Sequence, residues 1–175
     1  MYNIKSFKMK IQKLDVVVAI LAGITCLGLL VNIPVWALFI GWAWYFALGA
    51  TPDVLKQAIP ALLIGYILAA ISIVVYAASG FQILAMIIAV AVTVFILMMS
   101  LKLDIFSCSL ASFNAYSCLF AGYYAGNFPK MEQASVLDLN NVGVAVLWIA
   151  FANILGLFCG WLSVSIGTAG QKNND

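Results

Sequence analysis

Residues 81–101 read FQILAMIIAVAVTVFILMMSL, 21 positions without a charged side chain. A bilayer core about 30 Å thick is crossed by about 20 apolar residues of helix, so this stretch has the length of one transmembrane span. It is closed by Ser79-Gly80 on one side and by Lys102-Leu103-Asp104 on the other. Similar punctuation divides the rest of the chain. Upstream, a span follows Thr51-Pro52-Asp53, a helix N-cap with Pro at the first helical position, and runs to about Ala78. A shorter apolar segment covers about Pro34–Leu48 and stops at Gly49. The first apolar segment, roughly Leu14–Val31, ends at Asn32-Ile33-Pro34. Downstream, Ile105–Gly126 forms a fifth segment, and a loop over Asn127–Asn141 leads to a sixth, about Val142–Gly167.

Composition agrees with this division. Of 175 residues, 66% are hydrophobic and 8% charged, with mean hydropathy +1.13. A water-soluble domain carries about a quarter charged residues. The sequence therefore predicts an all-α integral membrane protein of six transmembrane helices: a transmembrane domain over 14–167, an amphipathic arm over 1–13 and a polar tail over 168–175. In the arm, Ile4, Phe7, Ile11 and Leu14 share one helical face flanked by Lys5, Lys8 and Lys13, a pattern that suits the surface of an anionic leaflet.

All eight basic residues are Lys, and the chain has no Arg and no His. With six spans and an inside N-terminus, Lys5, Lys8, Lys10, Lys13, Lys56, Lys102 and Lys172 fall on the cytoplasmic side, and Lys130 alone falls outside. Positive residues beside spans stay in the cytoplasm, so both termini are expected there. The basic, apolar N-terminus is read as an uncleaved first span, since no small-x-small cleavage site follows it.

Three spans per half would place duplicated halves upside down relative to each other. A 3+3 inverted repeat is suggested by Phe46-Ala47-Leu48-Gly49 against Phe120-Ala121-Gly122, and by Ala61, Gly65 and Ala69 against Gly156 and Gly160. Inverted-repeat transporters bind solute near the midplane, at short or interrupted spans. Here those spans are the second and the fifth.

The second span gathers Trp36, Phe39, Trp42, Trp44, Tyr45 and Phe46. Interfacial anchoring accounts for aromatic residues near its ends. An aromatic slot binding a planar or cationic solute would also account for Phe39 and Trp42. The fifth span is polar, with Ser107, Ser109, Ser112, Asn114 and Ser117, and the sixth carries Asn153. An amide at bilayer depth must bond a neighbouring helix or face a watery path. The solute-path candidates are Phe39, Trp42, Tyr45, Phe46, Asn114, Tyr116, Ser117, Phe120 and Asn153. Gly65, Gly156 and Gly160 are expected at close helix–helix crossings.

No acidic or basic residue and no His lies at predicted bilayer depth. Proton-coupled pumps normally need such a group, and neither a nucleophile–base pair nor a metal cluster is assembled from these residues. Cys26, Cys108, Cys118 and Cys159 form no CxxC pair and read as packing residues. The expectation is thus not an enzyme, with no cofactor, no metal and no nucleic-acid partner. A passive channel or facilitator for a small uncharged or weakly cationic solute fits best. A non-transporting scaffold or assembly subunit and an ion-coupled secondary transporter are the alternatives. The partners are the lipid bilayer and the solute, with room for a homo-oligomer.

Gly41-Trp42-Ala43-Trp44-Tyr45-Phe46-Ala47-Leu48-Gly49 with Leu55-Lys56, then Phe120-Ala121-Gly122 and Leu155-Gly156-Leu157-Phe158-Cys159-Gly160, resemble DUF1097, a family of small bacterial inner-membrane proteins. The resemblance implies a multi-pass protein of the inner membrane and brings no activity or catalytic residue with it. The arm Met1–Lys13 is longer than in shorter family members.

Overall fold

The structure is a computed structural model and describes residues 10–129 and 139–169. The arm through residue 9, the loop segment 130–138 with Lys130, and the tail from residue 170 with Lys172 lie outside the described residues, so the amphipathic arm and tail expected there are not described. The rest is helical: α1 (Lys13–Thr25), α2 (Val35–Ala47), α3 (Asp53–Ala78), α4 (Ile83–Ser100), α5 (Ser109–Ala125) and α6 (Asn140–Thr168). A 3-10 helix over Cys26–Val31 extends α1, and another over Asp104–Phe106 precedes α5.

Among the described residues, four segments are long and apolar enough to cross a membrane: Lys13–Val31, α3, α4 and α6. α2 has 13 residues, about 20 Å at 1.5 Å per residue, so the short second segment is a short helix. The fifth segment starts later than the expected Ile105. Ser107 and Cys108 break the chain after its 3-10 turn, and α5 begins at Ser109 with 17 residues. α5 ends at Gly126, whose φ of 66° is the left-handed conformation that glycine adopts without a Cβ penalty. There the Asn127 N–H reaches the Gly122 carbonyl at 2.9 Å and closes the last turn.

Packing sets the arrangement. α2 makes its broadest contact with α6, and α3 with α5; α3 also meets α4, α1 meets α6, and α3 touches α6. In register, Gly41 lies against Asn153, Trp42 against Gly156 and Tyr45 against Gly160, so α2 and α6 run the same way. Gly65 lies against Ser112 and Ala115, and Ser72 against Tyr116, so α3 and α5 run parallel too. α1 starts where α6 ends, with the Lys13 ammonium donating to the Ala169 carbonyl at 2.9 Å. Lys13, Lys56 and Lys102 consequently share one end of the bundle.

These crossings are close because the facing residues are small. A Cβ added at Gly156 would collide with the Leu38 carbonyl oxygen and lie 2.8 Å from the Trp42 amide nitrogen. One at Gly41 would lie 2.9 Å from the Asn153 Cα, and one at Gly65 3.0 Å from the Ser112 carbonyl carbon. At Gly160 the neighbour is the Tyr45 side chain, with its Cβ at 2.6 Å. The outer helices are different. α1 buries no residue, and α4 buries only Ala89, Thr93 and Leu97, a stripe at four-residue spacing.

Candidate functional site

Ser112, Asn141 and Ser163 are buried, and two further groups of buried polar side chains join one helix to another. The first lies where α2, α3 and α6 meet. Asn153 is fully buried, and its amide NH2 donates to the Ala37 carbonyl of α2 at 2.6 Å. Its side-chain oxygen accepts from the Tyr66 hydroxyl of α3. Gly41, with no Cβ, lets the α6 backbone come near enough for the amide to reach α2. In hydrocarbon an amide left unpaired costs several kcal/mol. Here α2 and α3 both bond the α6 side chain and satisfy it.

The second place joins α3, α4 and α5. The hydroxyls of Ser72, Thr93 and Tyr116 form a triangle with edges of 2.7, 2.8 and 3.0 Å. Thr93 also donates to the Ala89 carbonyl of its own helix at 2.8 Å. The Tyr116 ring stacks on Phe120 with centroids 5.1 Å apart and planes 13° apart.

The nine expected solute-path residues therefore separate. Trp42, Tyr45, Tyr116 and Asn153 are buried, at 3%, 1%, 8% and 0% exposure. Phe120 is half-buried against the core. Phe39 and Phe46 are exposed at 39% and 37%, with Phe39 stacked on Trp42 at 6.2 Å and Phe46 edge-on to Tyr45 at 6.3 Å. Asn114 is half-buried and donates to the Leu110 carbonyl one turn back at 2.8 Å. Ser117, on the exposed face, bonds the Phe113 carbonyl at 3.0 Å. Neither Asn114 nor Ser117 joins the two buried clusters through these bonds.

Sequence reasoning missed Tyr66, Ser72 and Thr93. Two carried a signal: Thr93 is the one hydroxyl residue in Ile83–Met99, and Tyr66 follows the close-contact Gly65. Buried polar atoms without a partner are the exception. Among the described residues these are the indole nitrogens of Trp36 and Trp42. No three His, Cys, Asp or Glu side chains among the described residues are grouped as metal ligands.

The two clusters should respond differently to loss of one hydroxyl. Tyr116→Phe leaves Ser72 and Thr93 bonded to each other and is expected to cost about 1 kcal/mol of unfolding free energy. Tyr66→Phe removes a partner from a fully buried amide oxygen and should cost about 2 kcal/mol. Unfolding in mixed micelles checks the ranking, and equal costs would mean that the Asn153 oxygen finds a replacement partner.

The family described as "Protein of unknown function (DUF1097)" matches residues 15–168. No curated protein and no solved structure matches the chain.

Proposed function

The chain belongs to the DUF1097 family of proteins of unknown function, and on that premise we propose that it is a facilitator of the bacterial inner membrane, carrying a small uncharged solute with a hydrogen-bond-accepting oxygen. It does so through six spans with both termini in the cytoplasm. The observation that carries this reading is Trp42. Its indole is 3% exposed and its N–H has no acceptor in the protein, whereas Asn153, Ser72 and Thr93 are bonded. A buried donor without a partner costs about 1–3 kcal/mol. A solute oxygen arriving at this depth would recover that cost.

An inverted repeat supports a carrier in place of an open pore. Pair Leu38 with Ser112, Trp42 with Tyr116 and Phe46 with Phe120. The buried and exposed positions of α2 and α5 then coincide through the paired stretch, apart from Phe46 exposed against Phe120 half-buried. The residues before the two helices match as well: Pro34 has φ −71° and ψ 87°, Cys108 φ −76° and ψ 85°. Each is preceded by a 3-10 helix. Pairing Gly65 with Gly156 likewise aligns Ala61 with Ala152, Ala69 with Gly160 and Ser72 with Ser163, all of them buried. The parallel pairs α2–α6 and α3–α5 exchange under this correspondence, as do α1–α6 and α4–α3. Two halves related in this way are suited to rocking about the midplane.

A non-transporting scaffold is the second reading, favoured by the internally satisfied Tyr66–Asn153 and Ser72–Thr93–Tyr116 bonds. Stopped-flow light scattering on proteoliposomes separates the two. Relaxation under a urea or acetamide gradient is expected to run faster than in empty vesicles, with glycerol and methylammonium as comparisons. Folded, inserted protein that adds no permeability to any of them would favour the scaffold.

A further inference from the structure

We propose that the protein moves as two rigid three-helix units, α1–α2–α6 against α3–α4–α5, and that the structure holds the state closed at the end away from Lys13, Lys56 and Lys102. This deepens the facilitator reading and rests on it for the solute, while the motion itself is measurable without flux.

The units are defined by what holds each together. α1 and α2 lie on α6, and α4 and α5 lie on α3, so each unit takes helices from both halves of the repeat. Inside each, backbone meets backbone. An added Cβ would strike the Asn153 carbonyl from Gly41, the Leu38 carbonyl from Gly156 and the Ser112 carbonyl from Gly65. Hydrogen bonds reinforce these crossings, Asn153 to Ala37 in the first unit and Ser72, Thr93 and Tyr116 in the second. Close-packed contacts of this kind move together or not at all.

Between the units the fit differs in kind. α3 meets α6, where the Tyr66 hydroxyl donates to Asn153. The repeat exchanges these two helices with each other, so their contact lies on its axis and acts as the pivot. The remaining contact is one-sided. α5 packs on α6, but among the described residues its counterpart, α2 on α3, has no comparable contact.

Gly122 accounts for the difference. A Cβ there would collide with the Ile149 Cδ1 and lie 2.9 Å from the Trp36 ring, so its absence lets α6 and α2 close over α5 at the far end. Continuing the pairing of Phe46 with Phe120 puts Leu48 in the place of Gly122, and the pairing of Gly65 with Gly156 puts Ala58 in the place of Ile149. At the lysine end an isobutyl side chain thus stands where the far end has none, and it holds α2 off α3. The far-end contact is made by side-chain ends, which part by rotation about side-chain bonds. Tilting about the α3–α6 pair would separate Gly122 from Ile149 and bring Leu48 toward Ala58, exchanging the closed end. Rigid-body rocking around a central site is how inverted repeats alternate access. Trp42 lies about 9 Å past Trp36 along α2, on the lysine side of the closed contact.

The test places spin-label pairs on the full chain in nanodiscs, through an encoded amino acid that leaves the native cysteines untouched. Gln82 with Leu147 spans the units at the far end, Lys102 with Ser165 spans them at the lysine end, and Leu27 with Ser165 lies inside one unit; all are exposed. Gly122→Leu is expected to add a longer distance to the far-end pair and a shorter one to the lysine-end pair, with the internal pair unchanged. Leu48→Ala adds no bulk and sits at the opposite end, yet should shift both pairs in the same sense. It keeps the test decisive if Gly122→Leu does not fold. A far-end distance that ignores Leu48→Ala, or an internal pair that moves with the others, would overturn the proposal. Reciprocal shifts in a protein that passes neither urea nor acetamide would leave the rocking standing and remove the facilitator reading. Solute flux with fixed distances would remove the rocking alone.

Discussion

Gly156→Ala is expected to destabilise the protein by about 3 kcal/mol, the upper part of the range for overpacking. The added methyl would meet the Leu38 carbonyl oxygen and the Trp42 amide of α2. Both are backbone atoms, which no rotamer change can move. α2 and α6 would have to separate along the broadest helix contact in the bundle, and the Asn153 bond to Ala37 would stretch with them. The comparison is Gly23→Ala in α1, where nothing lies within 4 Å of the new methyl and the change should stay within about 0.5 kcal/mol. Both are measured by reversible unfolding in mixed micelles. Equal stability of the two variants would refute the close α2–α6 crossing.

The second large effect is on flux. Trp42→Phe is expected to lower amide permeability about tenfold while changing unfolding free energy by less than about 1 kcal/mol. Loss of one hydrogen bond from the transported solute, about 1–1.5 kcal/mol, corresponds to about tenfold. Stability is nearly unchanged because two terms oppose. The smaller ring forfeits about 1–2 kcal/mol of packing, and removing a buried donor that has no partner recovers about 1–3 kcal/mol. The Phe39 stack is retained by the new ring. Proteoliposome flux and micelle unfolding are measured on the same preparation. Unchanged flux with a folded variant would remove the indole N–H from the solute path.

The helices were legible because their signal is length. Leu14–Val31 and the expected third and fourth segments lie within about two residues of the observed helices, since apolar runs between Pro, Gly and charged residues leave few other endpoints. The start of α5 was not legible. Ile105 and Phe106 are as apolar as any span residue, and only the backbone turn at Ser107–Cys108 sets Ser109 as the first residue. Helix facing was harder still. Lipid and protein interior are both apolar, so hydrophobicity does not distinguish the exposed Phe113 from the buried Leu119. Asn114 and Ser117 stand out in the sequence by their polarity at bilayer depth, and each bonds a carbonyl of its own helix.

By itself the sequence determined that the chain is a bundle of apolar helices, because a backbone without water must bond within its own segment. It also placed Lys13, Lys56 and Lys102 at the ends of spans, because charge is excluded from hydrocarbon. Only the tertiary structure decided which polar groups meet. Asn153 with Tyr66, Ser72 with Thr93 and Tyr116, and the unpartnered indole of Trp42 depend on interhelical register. That register is set by close approach at Gly41, Gly65 and Gly156, where a methyl group has no room, and no periodicity in one helix records the position of its neighbour.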